Sequence, residues 1–375
     1  VHILLLSAYD ADSHVRLRTG LAAQFPDAEI TAIALPPRYY AWRAGGSALS
    51  FAERIPRRDF DVVLTMGPTD LAALLGLRPD LTRARRLVYV HEHEFAYPDN
   101  AREQGRVDRQ MRQVLALLAA DAVLVNSRYA ADSLLDGIRK LLAAMPDAVP
   151  KGLEDRIAER ITVEPVPLPD ALFARPRQRP AGSGGCWQLV WNHRHEWDKG
   201  PERLPPLLNA LFSAGFDFRL HLLGQRFRRR PAALAQVEAL LNKHPEHLGS
   251  IGFVADRRAY LDLLGSTDLV ISTALQEFQG LAVMDAVALG CVPCVPDRLA
   301  YRDWIPDAFR TPSHAADPAA DGHALAARIL SFAEAGVPEP IPDLSFLAWS
   351  RRRRRWRAHL EGDALPASTN QDASA

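Results

Sequence analysis

Short apolar runs alternate with segments of helical period along nearly the whole chain. Residues 1–8, 29–35, 61–67, 86–91 and 122–127 are apolar runs of strand length. Between them, residues 13–24, 69–76, 102–120 and 129–144 repeat apolar positions at helical spacing. Such alternation predicts parallel strands joined by crossover helices. A stretch rich in Pro, Gly and Ser, residues 174–185, interrupts the pattern as a linker would. The alternation then restarts. Strands are expected at 188–193, 218–224, 249–254, 268–273 and 292–296, and helices at 201–213, 232–242, 256–265 and 281–289.

The pattern predicts an α/β protein of two doubly wound, Rossmann-like domains, residues 1–175 and 187–345, with a linker at 176–186. A further helix is expected at 346–362 and a small, polar, disordered tail at 363–375. Doubly wound sheets take ligands beyond the carboxyl ends of their strands. Two of them facing across a cleft would offer one side to each of two substrates.

Composition narrows the class. The chain has 375 residues, 48% hydrophobic and 24% charged, the profile of a globular enzyme rather than a disordered or membrane protein. No apolar run approaches the ~18 residues a membrane span needs, and the opening run reads as a strand rather than a leader. A cytoplasmic protein without a membrane partner is expected. Lys+Arg and Asp+Glu both total 45, so net charge does not point to a polyanion, although a local basic face is compatible with it. The cysteines are Cys186, Cys291 and Cys294. The last two fall in an apolar run that reads as a buried strand, with no second Cys/His pair at ligand spacing, so zinc and redox roles are not expected. Lysine occurs only at Lys140, Lys151, Lys199 and Lys243, and every other basic residue is arginine. Each lysine is therefore the more informative cation, and arginine clusters are weak signals.

Lys199 lies in one of two stretches that carry chemistry. Trp191 to Gly200 (WNHRHEWDKG) follows the first strand of the second domain and precedes a helix opening at Pro201. A strand–loop–helix junction directs backbone N–H groups toward anions. Arg194 and Lys199 add two side-chain cations able to neutralise a departing diphosphate. A plain charged surface loop is the alternative. The second stretch, Gln276 to Val295, places Glu277 on a loop, Gly280 before a helix, and Asp285 inside that helix, eight positions after Glu277. Glu277 suits sugar hydroxyls, the backbone around Gly280 and Leu281 suits phosphate, and Asp285 suits a ribose diol. Taken alone, both acids are more readily explained as solvated side chains. Their occurrence downstream of Arg194-x4-Lys199-Gly200 in one sheet favours a site.

Glu-x7-acid preceded by Arg-x4-Lys-Gly resembles the large family of retaining, metal-independent GT-B glycosyltransferases. The resemblance implies that Glu277 contacts the donor sugar, Asp285 the ribose, and Arg194 and Lys199 the diphosphate. Asp285 stands where that family usually has Glu. A narrower resemblance covers most of the chain. Pro36 to Arg43 (PPRYYAWR), Tyr89 to Pro98 (YVHEHEFAYP), Asn126-Ser127, Trp191 to Lys199, Leu223-Gly224 and Glu277 to Gly280 (EFQG) are similar to the tRNA-queuosine α-mannosyltransferases. Here His93 and Glu94 replace amides of the animal enzymes, and Gln276 replaces a His. This resemblance implies transfer of mannose from GDP-mannose to the cyclopentene-diol of queuosine in tRNA-Asp, with no cofactor. It also implies retention, the departing phosphate taking the acceptor proton.

Ser13 and His14, at the first strand-to-helix turn, would face donor phosphates. His91 is a candidate catalytic contact, and Glu92, His93, Asn126 and Arg43 are candidates for the acceptor side. Asp10 and Asp12 have metal-pair spacing but occupy the turn expected to face phosphate, so no metal is assigned. Surfaces that would suit tRNA are Arg351, Arg352, Arg353, Arg354 and Arg355 with Arg357; Arg226 with residues 228–230; and Arg83, Arg85 and Arg86. Two other readings stay open: a GT-B enzyme with a metabolite, lipid or glycan acceptor, and a catalytically silent binder of nucleotide sugar or tRNA. Neither the base and hexose of the donor nor the oligomeric state has a local signature.

Overall fold

In the computed structural model, residues 1–96, 106–175, 185–227 and 230–365 are described. The linker expected at 176–186 and the polar tail fall largely outside them, as do Tyr97, Pro98, Arg228 and Arg229.

The chain forms two compact units. In the first, β1 (His2–Ser7), α1 (Asp12–Gln24), β2 (Glu29–Ala34), α2 (Tyr40–Arg54), β3 (Val62–Met66), α3 (Leu71–Leu77), β4 (Arg85–Val90), α4 (Arg106–Ala119), β5 (Ala122–Val125), α5 (Arg128–Ala143), α6 (Leu153–Ala158) and β6 (Ile161–Val163) follow one another. The strands form a parallel sheet in the order β2-β1-β3-β4-β5-β6. Ile3 to Leu6 and Val62 to Leu64 are fully buried, as expected of strands with helices on both faces. Helix starts are set by short polar side chains: Asp70 accepts from the Ala73 N–H, and Ser127 from the Ala130 N–H.

The second unit, Leu168–Ala348, begins with α7 (Asp170–Phe173). It continues with β7 (Trp187–Asn192), α8 (Leu204–Ser213), β8 (Phe218–Leu223), α9 (Ala232–Lys243), β9 (Leu248–Gly252), α10 (Arg257–Gly265), β10 (Leu269–Ile271), α11 (Leu281–Ala288), β11 (Val292–Pro296), α12 (Tyr301–Trp304), β12 (Arg310–Thr311) and α13 (Pro318–Ala335). Its parallel sheet runs β12-β11-β10-β7-β8-β9. Chain order therefore reverses between β7 and β10, and in the first unit between β1 and β3. At such switch points the loops leave in opposite directions and open a crevice.

Two boundaries differ from expectation. The first unit ends at Pro167, so α7 belongs to the second unit rather than to residues 1–175. The last helix, α14 (Trp349–Glu361), starts later than 346 and belongs to the first unit. Its indole Trp349 rests on Gly20 of α1, where an added Cβ would lie 2.4 Å from Cζ2. Helices α2 and α13 arise from segments where no helix was expected.

Helix α14 also corrects the reading of its arginines. Glu164, fully buried after β6, accepts from Arg352 Nε at 2.8 Å and Arg355 Nε at 2.9 Å, with His359 Nε2 at 3.1 Å. Arg352 is buried. These two arginines dock the helix and are not part of a solvated cationic face. Arg351, Arg353 and Arg354 remain exposed, and Arg353 lies over the Phe25 ring. The cysteine pair is likewise core: Cys291 and Cys294 are buried, and burial pushes the Cys294 thiol up to about 12. Asp10 and Asp12 are paired with Arg18 and Arg16.

Burial alone would raise the Glu164 carboxyl. The His359 hydrogen bond and the charges of Arg352 and Arg355 outweigh it and hold the group below the usual range. Glu164→Gln leaves two guanidinium groups without their buried counter-charge. Urea titration of the variant should show the first unit destabilised by about 3 kcal/mol. A depressed folded-state pKa stabilises above the unfolded value, about 4.3, and that stabilisation is lost as pH falls through the folded pKa. The corresponding acid limb of melting temperature against pH should shrink in the variant.

Candidate active site

The switch point of the second unit holds the residues singled out by motif. After β7 the chain turns through Gly200, whose φ of +60° and close approach leave no room for a side chain: a Cβ would lie 2.2 Å from the Thr273 carbonyl oxygen. The turn sends Lys199 back toward the loop after β10. The two loops are knitted by backbone. The Leu275 and Gln276 N–H groups donate to the Asp198 carbonyl at 2.8 and 3.1 Å. Thr273 Oγ1 donates to the Lys199 carbonyl at 2.6 Å, and Trp191 Nε1 donates to Thr273 Oγ1 at 2.8 Å.

Lys199 is buried, and its ammonium group is surrounded by acceptors. It donates to the Gln276 carbonyl at 2.8 Å and lies 3.2 Å from both Glu277 Oε2 and Asp198 Oδ2. A buried ammonium needs such compensation. Asp198 also approaches Arg194 Nη2, at 3.8 Å, while Arg194 Nη1 pairs with Glu196 at 2.8 Å. Arg194, Lys199 and Glu277 are thus brought together, as the motif implied. Asp198, which was not expected, links the two cations. Its signal was its position directly before Lys199.

The other Glu277 oxygen, Oε1, accepts from the Gly280 N–H at 3.1 Å. Gly280, with φ of +87°, caps α11. The N–H groups of Leu281, Ala282 and Val283 have no carbonyl partner within the helix, the usual condition of a first turn and one suited to phosphate oxygens. Beneath Gly280 lies the buried Tyr301, whose hydroxyl is 2.6 Å from Ser272 Oγ; Ser272 Oγ is 3.1 Å from His193 Nε2. Burial, then the Lys199 charge, push His193 down to about 3. His193 is therefore uncharged and adds no second cation beside Lys199. Gln276 is buried, and its Nε2 has no hydrogen-bond partner among the described residues.

Asp285 departs from expectation. It is fully buried in α11, and its Oδ2 lies 3.1 Å from Arg257 Nη2. It does not present a carboxylate to solvent as ribose binding would require. The exposed group of the pair is Arg257, at the start of α10, 48% exposed and 5.1 Å over the Tyr260 ring. Asn192 Nδ2 donates to Tyr260 Oη at 2.6 Å and to the Ala282 carbonyl at 3.2 Å, tying the end of β7 to α10 and α11.

In the first unit, the ends of β1, β3, β4 and β5 gather a different chemistry. His14 stacks on His91 with ring centroids 4.0 Å apart, and its Nδ1 is 3.1 Å from Ser7 Oγ. Gly67 admits the His14 ring, since a Cβ there would lie 2.2 Å from Cε1. Burial, opposed by Asp10, lowers His14 to about 4; burial, then His14, lower His91 well below its ordinary value. Both are neutral at physiological pH. Asn126 Nδ2 donates to the His91 carbonyl at 2.9 Å. Both His91 ring nitrogens and Asn126 Oδ1 are buried without a hydrogen-bond partner among the described residues. Buried orphan groups of this kind are uncommon and fit a polar ligand.

The remaining acceptor-side candidates diverge. His93 is structural: its Nε2 meets Ser133 Oγ at 2.9 Å and its Nδ1 accepts from the Phe95 N–H at 3.3 Å. Both nitrogens are committed to holding the loop on α5. Glu92 is exposed, Ser13 is half-buried at the first turn of α1, and Arg43 lies on α2 with its Nε buried.

Comparison with known proteins bears on the whole chain. The family model described as the tRNA-queuosine alpha-mannosyltransferase N-terminal region matches residues 2–168. The tRNA-queuosine alpha-mannosyltransferase of Drosophila melanogaster is 32% identical over 312 residues, 81% of this chain and 82% of that protein. Among solved structures, Anabaena HepE in complex with UDP and glucose matches with a TM-score of 0.58 at 14% identity, over 90% of this chain and 92% of that one. The sucrose-phosphate synthase of Thermosynechococcus elongatus matches with a TM-score of 0.62 at 14% identity, over 90% and 91%. At such identities these likenesses speak for the fold alone, which is GT-B. The fly relative reaches across both units at a level where ancestry is not in doubt, and so the chain belongs to the tRNA-queuosine alpha-mannosyltransferase family of glycosyltransferases.

Proposed function

We propose that this chain transfers mannose from GDP-mannose to the cyclopentene-diol of queuosine in tRNA-Asp, with retention and without a metal ion. The observation that carries the chemistry is the buried Lys199 ammonium at the switch point, between Asp198 and Glu277. In glycosyl transfer the bond from the sugar carbon to the phosphate oxygen breaks, and its electron pair stays on the diphosphate. Lys199 and Arg194, with the first-turn amides of α11, oppose that developing charge, and the interaction is strongest at the buried Lys199, since Arg194 is 45% exposed. Glu277 is then free to exchange Lys199 for sugar hydroxyls, and Gln276 Nε2 supplies a further donor. The new bond joins the same sugar carbon to a queuosine hydroxyl oxygen. The hydroxyl proton passes to the departing phosphate oxygen.

The neutral His91 and the Asn126 carbonyl oxygen suit sugar or diol hydroxyls, which both donate and accept. The arrangement supplies positive charge without an ion, which supports the metal-free reading. No helix of the described residues is long and apolar enough to cross a membrane. A cytoplasmic location, where tRNA is modified, follows from this reading.

The direct test is mass spectrometry of queuosine-containing tRNA-Asp incubated with the protein, GDP-mannose and a chelator. The nucleoside should gain one hexose. Gain of no hexose, or gain only after a divalent metal is restored, would reject the corresponding part of the proposal. Lys199→Met should lower kcat by about 100- to 1,000-fold in that assay, with unfolding by heat monitored alongside. A rate within tenfold of wild type would remove Lys199 from the reaction.

Asp285 is proposed to act on the donor through Arg257. Arg257→Ala and Asp285→Asn should each raise the KM for GDP-mannose roughly tenfold, and the double variant should be no worse than the poorer single one. Such non-additivity is expected of groups that act as one unit. Additive losses would mean that Asp285 acts independently.

A further inference from the structure

The segment between β2 and α2 carries large aromatic groups where solvent can reach them. Tyr39 is 72% exposed and Trp42 53% exposed. Neither exposure is a loose end. Tyr39 is held in the left-handed region, with φ of 57° and ψ of 52°, which is rare for a bulky residue and unfavourable. The next residue, Tyr40, is the anchor. Its hydroxyl donates to Glu94, and its ring meets Tyr9 edge-on at 5.5 Å. The backbone at Tyr39 thus leaves its ring outward, while Tyr40, still 40% exposed, is held by Glu94 and Tyr9. One turn later, the Trp42 benzo ring rests on Gly46, where a Cβ would lie 2.7 Å from Cζ3. Glycine within a helix is less favourable than alanine, but here it gives the indole a flat seat on α2 while leaving about half of it exposed.

A cation accompanies each ring along the chain. The Arg38 guanidinium lies 5.7 Å over the Tyr39 ring, and Arg43, next to Trp42 in sequence, is half-buried with its Nε enclosed. Neither arginine has a carboxylate partner among the described residues, unlike Arg18 on Asp10, Arg58 on Glu29 or Arg86 on Asp121. The contacts to Tyr9 and Glu94 place the segment beside the loops after β1 and β4, the same edge of the sheet as His14 and His91.

Open aromatic faces flanked by unpaired cations fit one kind of partner: unpaired nucleobases, which stack, on a backbone of phosphates, which attract. A duplex hides its base faces, and a protein partner does not require two free arginines beside two rings. We propose that Tyr39 and Trp42, with Arg38 and Arg43, form a stacking platform for the unpaired bases of the acceptor's anticodon loop. The platform rests on the tRNA reading above and adds where the RNA is gripped.

The experiment measures binding of the tRNA-Asp anticodon stem–loop to the full chain at several salt concentrations. Stacking is largely salt-independent, whereas a phosphate contact releases counterions. Trp42→Ala and Tyr39→Ala should each weaken binding roughly tenfold with the slope of log K against log salt unchanged. Trp42→Phe should restore most of the loss, and circular dichroism should show α2 retained in each. Arg38→Ala should reduce that slope by about 0.7. Aromatic variants that bind within twofold of wild type, or that weaken binding only by changing the slope, would overturn the platform alone. A wild-type chain that mannosylates no tRNA would overturn the acceptor assignment and the platform with it.

Discussion

A lysine ammonium taken out of water must be surrounded by acceptors, and Lys199 meets that condition by joining two loops. Its partners come from its own turn, through Asp198, and from the loop after β10, through Glu277 and the Gln276 carbonyl. The position of the charge therefore follows from the sheet order that sets β7 beside β10. The same contacts hold Glu277 where its second oxygen caps the turn into α11. Removing the ammonium would leave two carboxylates facing each other, so the cation organises the site even before a substrate enters. A diphosphate arriving there would replace one set of anions with another at little cost in reorganisation, the condition under which electrostatic stabilisation is most effective.

The first unit solves the opposite problem. Its site is built from neutral groups held in a dry environment: two stacked histidines with lowered pKa values, and an asparagine fixed through the His91 carbonyl. A protonated imidazole there would have to be buried beside another, so both stay neutral. Neutral rings can both donate to and accept from hydroxyl groups, which a cation cannot. On the proposed reading the division of labour is chemical: one unit offers charge suited to a departing diphosphate, and the other offers uncharged hydrogen bonding suited to hydroxyls.

Much of this was legible in the chain. The strands could be placed because parallel strands covered on both faces read as short apolar runs. Lys199 stood out because lysine is rare here, and its spacing from Arg194 and Glu277 survived translation into space. What was not legible depended on partners far away in sequence. Arg352 and Arg355 looked like a surface run, and only Glu164, 188 and 191 positions earlier, makes them structural. His93 looked like a site residue beside His91, but Ser133 and the Phe95 amide occupy both its nitrogens. Helix α2 was hidden because Gly45 and Gly46 weaken its pattern, and the reason for Gly46 is a contact with Trp42.

Asp285 shows how one methylene can change a residue's part without changing its place. Near the same point of α11, glutamate would reach further from the helix than aspartate does. With the shorter side chain, the carboxylate stays wholly within the protein and is left with a buried charge to satisfy. Arg257 supplies the counter-charge from the start of α10, and its stacking on Tyr260 fixes where the rest of the guanidinium points. Tyr260 is in turn bound by Asn192 at the end of β7, whose amide also reaches the first turn of α11. The negative charge is thus neutralised inside, and a planar, multi-donor cation stands at the surface in its place. The group this pair offers to solvent is a guanidinium, suited to phosphate or to a carbonyl edge, and not a carboxylate. Without the Asp285 carboxylate, Arg257 would lose the partner that orients it.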